Sequence, residues 1–446
     1  MIDFPADESG RRSSSALGRH VVADALRVAD PAAADAALAE KDWRRGYLRH
    51  FRALVSAGLS DGYDIAEAGL ASVHSRMPVE ITEPSQPFET LTVDGDAERE
   101  TEVVLPYRGE LLRGPALQRQ LDAWVAGGVV EQSCADAVRD VAANPDWLDL
   151  SDQRLVVLGA GAEMGPLPAV LTWGGTVVGI DLPRVWDRVA AVPSAGRLIT
   201  PQRPGRPAGA DLLTELGAVA HWLAGLEGRL ILGNYVYAPG AAYARLSVAV
   251  DALATHLRAR RDDVALAFLA TPTDVFAVPP TAVELSRSRF ERRSRLARTT
   301  GALSAGRLLQ PNYPGEAVND SLVPQQGPNY ALAKRIQRWR ASVTRRDGVV
   351  SFAVAPPTRT RSVTSNRLLA AAYAGAHLFD VEIFEPATAN RLMALLLVHQ
   401  IRKPRSSAPA AWQDEAVSAV HGGLWTTAYH PRTALGLAAV RGLVKR

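Results

Sequence analysis

The chain predicts an α/β protein: a parallel sheet doubly wound by helices, with a mainly helical extension ahead of it. Three observations carry that expectation. The apolar run Leu155-Val156-Val157-Leu158 ends in Gly159-Ala160-Gly161-Ala162-Glu163-Met164-Gly165, and Val177-Val178-Gly179-Ile180-Asp181 follows one helix later. From Asp152 onward, apolar runs of strand length alternate with amphipathic stretches, the pattern of strands buried on both faces. Ahead of that point, apolar residues recur mostly at helical spacing.

Taken in order, residues 1–15 are polar, lack the apolar centre of a signal peptide and read as a disordered lead-in. Residues 16–150 form the mainly helical region. A helical pattern from Ala16 to about Ala57 carries Leu17, Val21, Val22 and Leu26, then Trp43, Tyr47, Phe51 and Leu54. Between Pro78 and Pro106, β-branched residues alternate with polar ones, and Val93-Asp94-Gly95-Asp96 signals a turn between short strands. Leu117, Leu121, Trp124 and Val125 mark a further helix, and Cys134 falls in another predicted over Val130 to Ala143. Residues 151–410 read as a Rossmann-type domain. Its strands are expected at Leu155, Val177, Arg197 to Thr200, Arg229 to Asn234, Val264 to Ala270 and Val349 to Val354. The helices between them pass through Leu167 and Leu171, Val185 and Val189, Asp211 to about Ala224, Ala241 to Arg260, and Asn329 to Arg345. An irregular insertion covers 275–328, and the tail 411–446 is expected to dock on the core or a second subunit.

Composition narrows the function classes. Of 446 residues, 47% are apolar and 22% charged, an ordinary globular balance, and a net charge of +3 gives no case for a nucleic-acid binder. A single cysteine excludes disulfide scaffolds and multi-thiolate sites and points to a reducing cytoplasm. Nine histidines form no HxxxH or HExxH pair, so no metal site is expected. The longest apolar stretches, such as Leu392 to Val398, are too short to span a bilayer, and a membrane is not expected as a partner. Gly58-Leu59-Ser60-Asp61-Gly62 has the spacing of a hydrolase elbow but follows a helix, and reads as a turn.

The chemistry gathers in two places. Gly159, Gly161 and Gly165 let the backbone approach a phosphate at a helix N-terminus, with Glu163 and Met164 in the same turn. Asp181, twenty residues after Gly161, stands where a carboxylate accepts hydrogen bonds from a ribose diol. Together they predict an adenosine-type cofactor. Further on, Tyr330 and Lys334 are four residues apart on one helix face, and an ammonium there lowers the tyrosine pKa. Tyr330 then suits proton transfer to or from a carbonyl oxygen.

With both signals in place, the chain resembles the short-chain dehydrogenase/reductase superfamily, as a divergent member. The run 158–165 is similar to that family's TGxxGxxG turn, Tyr330 and Lys334 match its YxxxK, and Pro356 to Thr360 resembles its PGxxxT-type loop. Asn234 falls near its NNAG position. The resemblance covers roughly 152–380 and implies a seven-stranded parallel sheet, hydride transfer between nicotinamide and a carbonyl or alcohol, and cofactor contacts from Asn234 and Thr360. The family's serine has no direct match, so Thr271 or Thr273 would supply that hydroxyl, and more than fifty residues separate it from Tyr330. Asp181 favours NAD over NADP, while Arg184 could accommodate a 2′-phosphate. The substrate class is a small molecule or an acyl-type compound, and pairing of two copies is compatible with the fold. Arginines of the insertion, among them Arg287, Arg289 and Arg292, read either as a solvated helix face or as a lid meeting an anionic substrate group. A methyltransferase using S-adenosylmethionine presents a similar glycine turn and acid. A non-catalytic nucleotide-binding protein on the same fold is the third reading.

Overall fold

Seven strands build the central sheet in the computed structural model, which describes residues 2–444. They are β1 (Glu89–Asp94), β2 (Gln153–Leu158), β3 (Thr176–Ile180), β4 (Arg197–Gln202), β5 (Arg229–Asn234), β6 (Val264–Ala270) and β7 (Val350–Val354). Across the sheet they run β1-β4-β3-β2-β5-β6-β7. Strands β2 to β7 are parallel, while β1 lies antiparallel on β4, with Leu91 opposite Thr200. The molecule is therefore α/β with a mostly parallel sheet.

Strand β1 corrects the all-parallel expectation, because it comes from the N-terminal region and closes the β4 edge. An edge strand needs only one apolar face, and β1 is largely solvent-exposed. Val93 to Asp96 does not join a local pair of strands either; Gly95 N–H instead donates to Gly196 O at 2.8 Å, where β1 leaves the sheet. The local hairpin lies further on, Leu105–Tyr107 against Glu110–Leu112, turning through Arg108 and Gly109 at φ of 48° and 85°.

Alternation along the strands divides the core. Val156, Leu158, Val178, Ile180, Leu230 and Leu232 face the helices Leu216–Ala224 and Ala241–Arg258. Leu155, Val157, Val177 and Ile231 face the helices Leu167–Thr172 and Pro386–Arg402. The latter contains the apolar run Leu392 to Val398, all of it buried, so that run is a core helix. No helix among the described residues is long and apolar enough to cross a membrane.

Residues 16–150 do more than cap this sheet. They supply β1 and, through the helices Gly114–Ala126 and Gln132–Ala143, part of the second core. Cys134 is buried there, and burial pushes its thiol pKa up, as suits a packing residue. The helices Ser14–Arg27, Pro31–Leu38 and Trp43–Arg76 form a bundle against the helix Pro328–Arg345, through Val21, Tyr47, Phe51, Ile336 and Trp339. A Cβ at Gly69 would lie 2.5 Å from the Trp339 ring, so a glycine is what lets these helices meet. Two expectations fail in this bundle. Within residues 2–15 of the lead-in, Phe4 is buried in the bundle core and accepts a hydrogen bond on its carbonyl from Arg12. The run 58–62 is not a turn but lies inside the 34-residue helix, which kinks at Asp61 (φ −107°, ψ 28°).

The insertion pairs Val275–Ala277 with Val318–Asp320 and adds the helices Pro280–Glu291 and Arg295–Leu303. The tail docks on the body, as expected. Trp425 is fully buried beside Phe276, with ring centroids 5.5 Å apart.

Candidate active site

Beyond β2 the chain turns at Gly159, whose φ of +84° is left-handed and whose Cβ would fall 2.8 Å from Tyr235 O. At Gly161 a Cβ would meet Arg188 Nη2 at 2.4 Å and Val185 Cγ1 at 2.5 Å. Both glycines are thus required by close approach of the protein to itself. Asp181, at the end of β3, accepts from Gly161 N–H at 2.9 Å and from Leu182 N–H at 2.7 Å. The amides of Gly159 and Ala160 bond Ile180 O, that of Ala162 bonds Gly159 O, and that of Gly165 bonds Ala162 O. Among the described residues, only the Glu163 and Met164 amides of this turn carry no intramolecular bond.

The expected phosphate site at a helix N-terminus is correspondingly reduced. The following helix, Leu167–Thr172, is six residues long, with Pro166 as its cap and Pro168 in its first turn. Neither proline has an N–H to offer. Glu163 accepts from Arg361 N–H at 2.9 Å, and its other oxygen lies 3.4 Å from Arg361 Nε. Thr360, the cap of the helix Arg361–Thr364, pairs with Ser362 Oγ at 2.9 Å. Met164 packs against the second core.

Beside Asp181 lies a shallow cleft of about 10 Å³, room for roughly one water, lined by Ala160, Gly179, Asp181, Leu182, Trp186 and Thr200 among others. Thr200 is 1% exposed, and its Oγ1 has no hydrogen-bond partner. A buried hydroxyl left unpaired costs roughly 1–3 kcal/mol, and the cleft beside it has room for a water to meet that cost.

The second group of predicted residues converges at the C-terminal ends of β5 and β6. Tyr330 opens the helix Pro328–Arg345, close enough to Thr271 for that hydroxyl to favour the phenolate. Thr271 Oγ1 and Thr273 Oγ1 are 3.0 Å apart, and Gln326 Nε2 donates to Thr273 Oγ1 at 3.0 Å. Lys334 Nζ donates to Leu269 O at 3.0 Å and to Gln337 Oε1 at 3.2 Å. Gln337 Nε2 in turn reaches Asn234 Oδ1 and Tyr243 OH, each at 3.4 Å. Thr271, Thr273 and Gln326 therefore form one hydrogen-bonded chain and Lys334, Gln337 and Asn234 a second, with Tyr330 beside both Thr271 and Lys334.

Its electrostatics differ from the sequence expectation in one respect. The Tyr330 ring is half-buried, and dense surroundings push the phenol up to about 12, outweighing the opposing pull of Lys334 and Thr271. Burial also lowers the Lys334 pKa, against the raising effects of Tyr330 and Asp274. The helix is fixed here by Arg338, fully buried, which bonds Asp274 at 2.8 Å and Glu415 at 2.5 Å. Tyr243 and Tyr237 pack their rings 5.5 and 6.4 Å from that of Tyr330.

The insertion does not bring its arginines to this cluster. Arg289 bonds Gly127 O and Thr426 O, Arg287 bonds Gly315 O, and no residue of the helix Arg295–Leu303 is buried. The solvated-face reading describes that helix.

Four site residues escaped the sequence reading: Thr200, Gln326, Gln337 and Tyr243. Gln337 was findable, being three residues after Lys334 on the face that Tyr330 shares. Thr200, a hydroxyl in the otherwise apolar Leu198-Ile199 run, also left a trace. No family model matches the chain, and no curated protein matches it.

Proposed function

We propose that the protein is a nicotinamide-dependent oxidoreductase of the short-chain dehydrogenase/reductase kind, acting on a carbonyl or alcohol. One observation carries the reading: Tyr330, Thr271, Lys334 and Asn234 gather where β5 and β6 end, next to the reversal of strand order between β2 and β5. Counted alone, the six parallel strands run 3-2-1-4-5-6. That is the order of Rossmann-type dinucleotide folds, whose ligand lies across the reversal.

The residues fit such a cofactor best at its adenosine end. Asp181 keeps lone pairs for a ribose diol, and the unpartnered Thr200 hydroxyl lines the same cleft. The amides of Glu163 and Met164, without an intramolecular bond, are left to donate to the cofactor's phosphates. Asp181 would repel a 2′-phosphate, which favours NAD, while exposed Arg184 leaves NADP as the variant. When bound, the nicotinamide supplies the hydride.

The chain's own residues do the rest. Near neutral pH the Tyr330 phenol stays protonated, since burial holds its pKa at about 12, and it donates to the carbonyl oxygen of the substrate. Thr271 donates a second hydrogen bond to the same oxygen. The Lys334 ammonium stabilises the phenolate left behind. A protonated resting phenol suits the reducing direction.

A second reading has its own support. The Glu163 carboxylate beside the free amides favours an adenosine ligand without phosphates, as S-adenosylmethionine is. Calorimetric titration of the full chain with NADH, NADPH and S-adenosylmethionine separates the two. Heat from NADH or NADPH alone supports the reductase, and heat from S-adenosylmethionine alone overturns it. NADH binding without turnover on a panel of ketones, aldehydes and acyl thioesters leaves the non-catalytic reading.

A further inference from the structure

Charge is unevenly placed in this chain. Residues 295–310, 359–379 and 431–444 hold three, three and two arginines and no aspartate or glutamate, although the net charge is only +3. The fold gathers these segments into one satellite beside the sheet. Tyr429 sits edge-on to Phe290 and Phe379, at 5.9 and 6.1 Å, and shares a small core with Ala297, Leu309 and Leu437. The helix Pro431–Val444 meets the helix Arg367–Gly375 so closely that a Cβ at Gly375 would fall 2.1 Å from Ala438 O.

The satellite also carries unsatisfied apolar surface. Of eleven large exposed hydrophobic side chains among the described residues, six are here: Leu296, Leu303, Leu368, Leu378, Val440 and Leu443. Leu296 and Leu303, at 68% and 85% exposure, are seven residues apart and share a face of a helix in which nothing is buried. Val440 and Leu443 share a face of the last helix. Arg295, Arg298, Arg307, Arg367 and Arg441 have no ion-pair partner among the described residues, whereas Arg359, Arg361 and Arg432 do.

Exposed leucines interleaved with unpaired guanidinium groups define the chemistry of the partner. We infer that this satellite is the face by which the protein settles on an anionic lipid bilayer, with the leucines in the acyl boundary and the arginines at the phosphates. A nucleic acid would call for aromatic platforms, and the exposed groups here are all aliphatic. A second copy packed face to face would set like charge against like. This surface goes beyond the redox reading and does not rest on it.

The test is flotation of the full chain with vesicles of phosphatidylcholine alone and with one part in three of phosphatidylglycerol. The expected result is binding to the anionic vesicles about tenfold stronger than to the neutral ones, weakening as salt is raised. A Leu296→Ser/Leu303→Ser variant and an Arg295→Glu/Arg298→Glu variant should each lose about tenfold in bound fraction, at an unchanged melting temperature. Since all four side chains are solvent-exposed, both variants fold. No flotation, equal binding to both vesicle types, or wild-type binding by the serine variant would each overturn the assignment. So would heparin displacing the protein while the serine variant still floats, which marks a polyanion contact only.

Discussion

The two sides of the strand-order reversal are furnished in opposite ways. On the β2–β3 side, hydrogen-bonding capacity is largely spent within the protein: four amides of the glycine turn bond backbone carbonyls, and Asp181 holds a fifth. On the β5–β6 side, two threonines and three carboxamides make two short hydrogen-bonded chains, one of them holding the Lys334 ammonium, with the Tyr330 phenol beside both. The first side carries the stronger sequence signal and the second the more reactive chemistry. A glycine-rich turn reports close approach of a backbone to something. At Gly159 and Gly161 that something is the protein itself.

The largest effect expected from this contrast is on turnover. Tyr330→Phe removes the proton donor and should lower kcat/KM for carbonyl reduction by about 10²–10⁴-fold. Cofactor affinity, set on the other side of the reversal, should not change, and stability should fall by no more than about 1 kcal/mol for one lost hydrogen bond. Steady-state kinetics beside calorimetric titration reads both. A phenylalanine variant that still turns over would remove the β5–β6 cluster from the chemistry.

A structural substitution sharpens the other half of the comparison. Gly159→Ala combines a left-handed backbone with a Cβ 2.8 Å from Tyr235 O, and should cost about 2–4 kcal/mol in urea unfolding. Gly165→Ala is the control. Its Cβ would have 3.3 Å to the nearest atom, Ala162 O, without a left-handed φ, and the cost should stay below about 1 kcal/mol. Equal costs would mean that the turn is not held against the chain beyond β5.

Acid sensitivity should arise outside both sides. With its pKa at about 12, Tyr330 does not titrate between pH 4 and 9. His430 does: burial, then Arg432, pushes its imidazole down to about 4, and its Nδ1 has no partner. The unfolded chain, with a histidine pKa of about 6.5, then binds more protons than the native one. Stability from this group is complete above about pH 6.5 and is lost as pH falls towards 4, by at most about 3 kcal/mol. Unfolding curves of wild type and His430→Asn across that window check it, and parallel curves would remove His430 as the source.

How much of this was readable from the chain follows from where each element is buried. The six parallel strands were legible because each is buried on both faces and bounded by helical periodicity. β1 was not, because its residues are mostly exposed and its partner lies about a hundred positions away. Tyr330 and Lys334 were legible through helical spacing, a local rule. The direction of the phenol's shift was not, since it depends on how tightly Tyr243, Thr271 and the β6 end enclose it. The docking of residues 2–15 turned on one residue, Phe4, which composition alone does not weigh.

The smallest expected effect bears on the choice between cofactors. Glu163 is the one carboxylate in the glycine turn, and it occupies the Arg361 amide and guanidinium as a phosphate would. Glu163→Gln keeps the size and removes the charge. The exposed pair with Arg361 is worth little, so stability should change by less than about 0.5 kcal/mol. A phosphate-bearing dinucleotide would no longer meet a negative charge beside the two free amides and would find Arg361 unpaired, and NADH affinity should rise several-fold, on the order of 3–10-fold. S-adenosylmethionine has no phosphate to gain from either change. If its binding is the one that tightens, or if NADH binding weakens, the phosphate path does not run over this turn and the dinucleotide reading fails on its adenosine side, whatever Tyr330 does on the other.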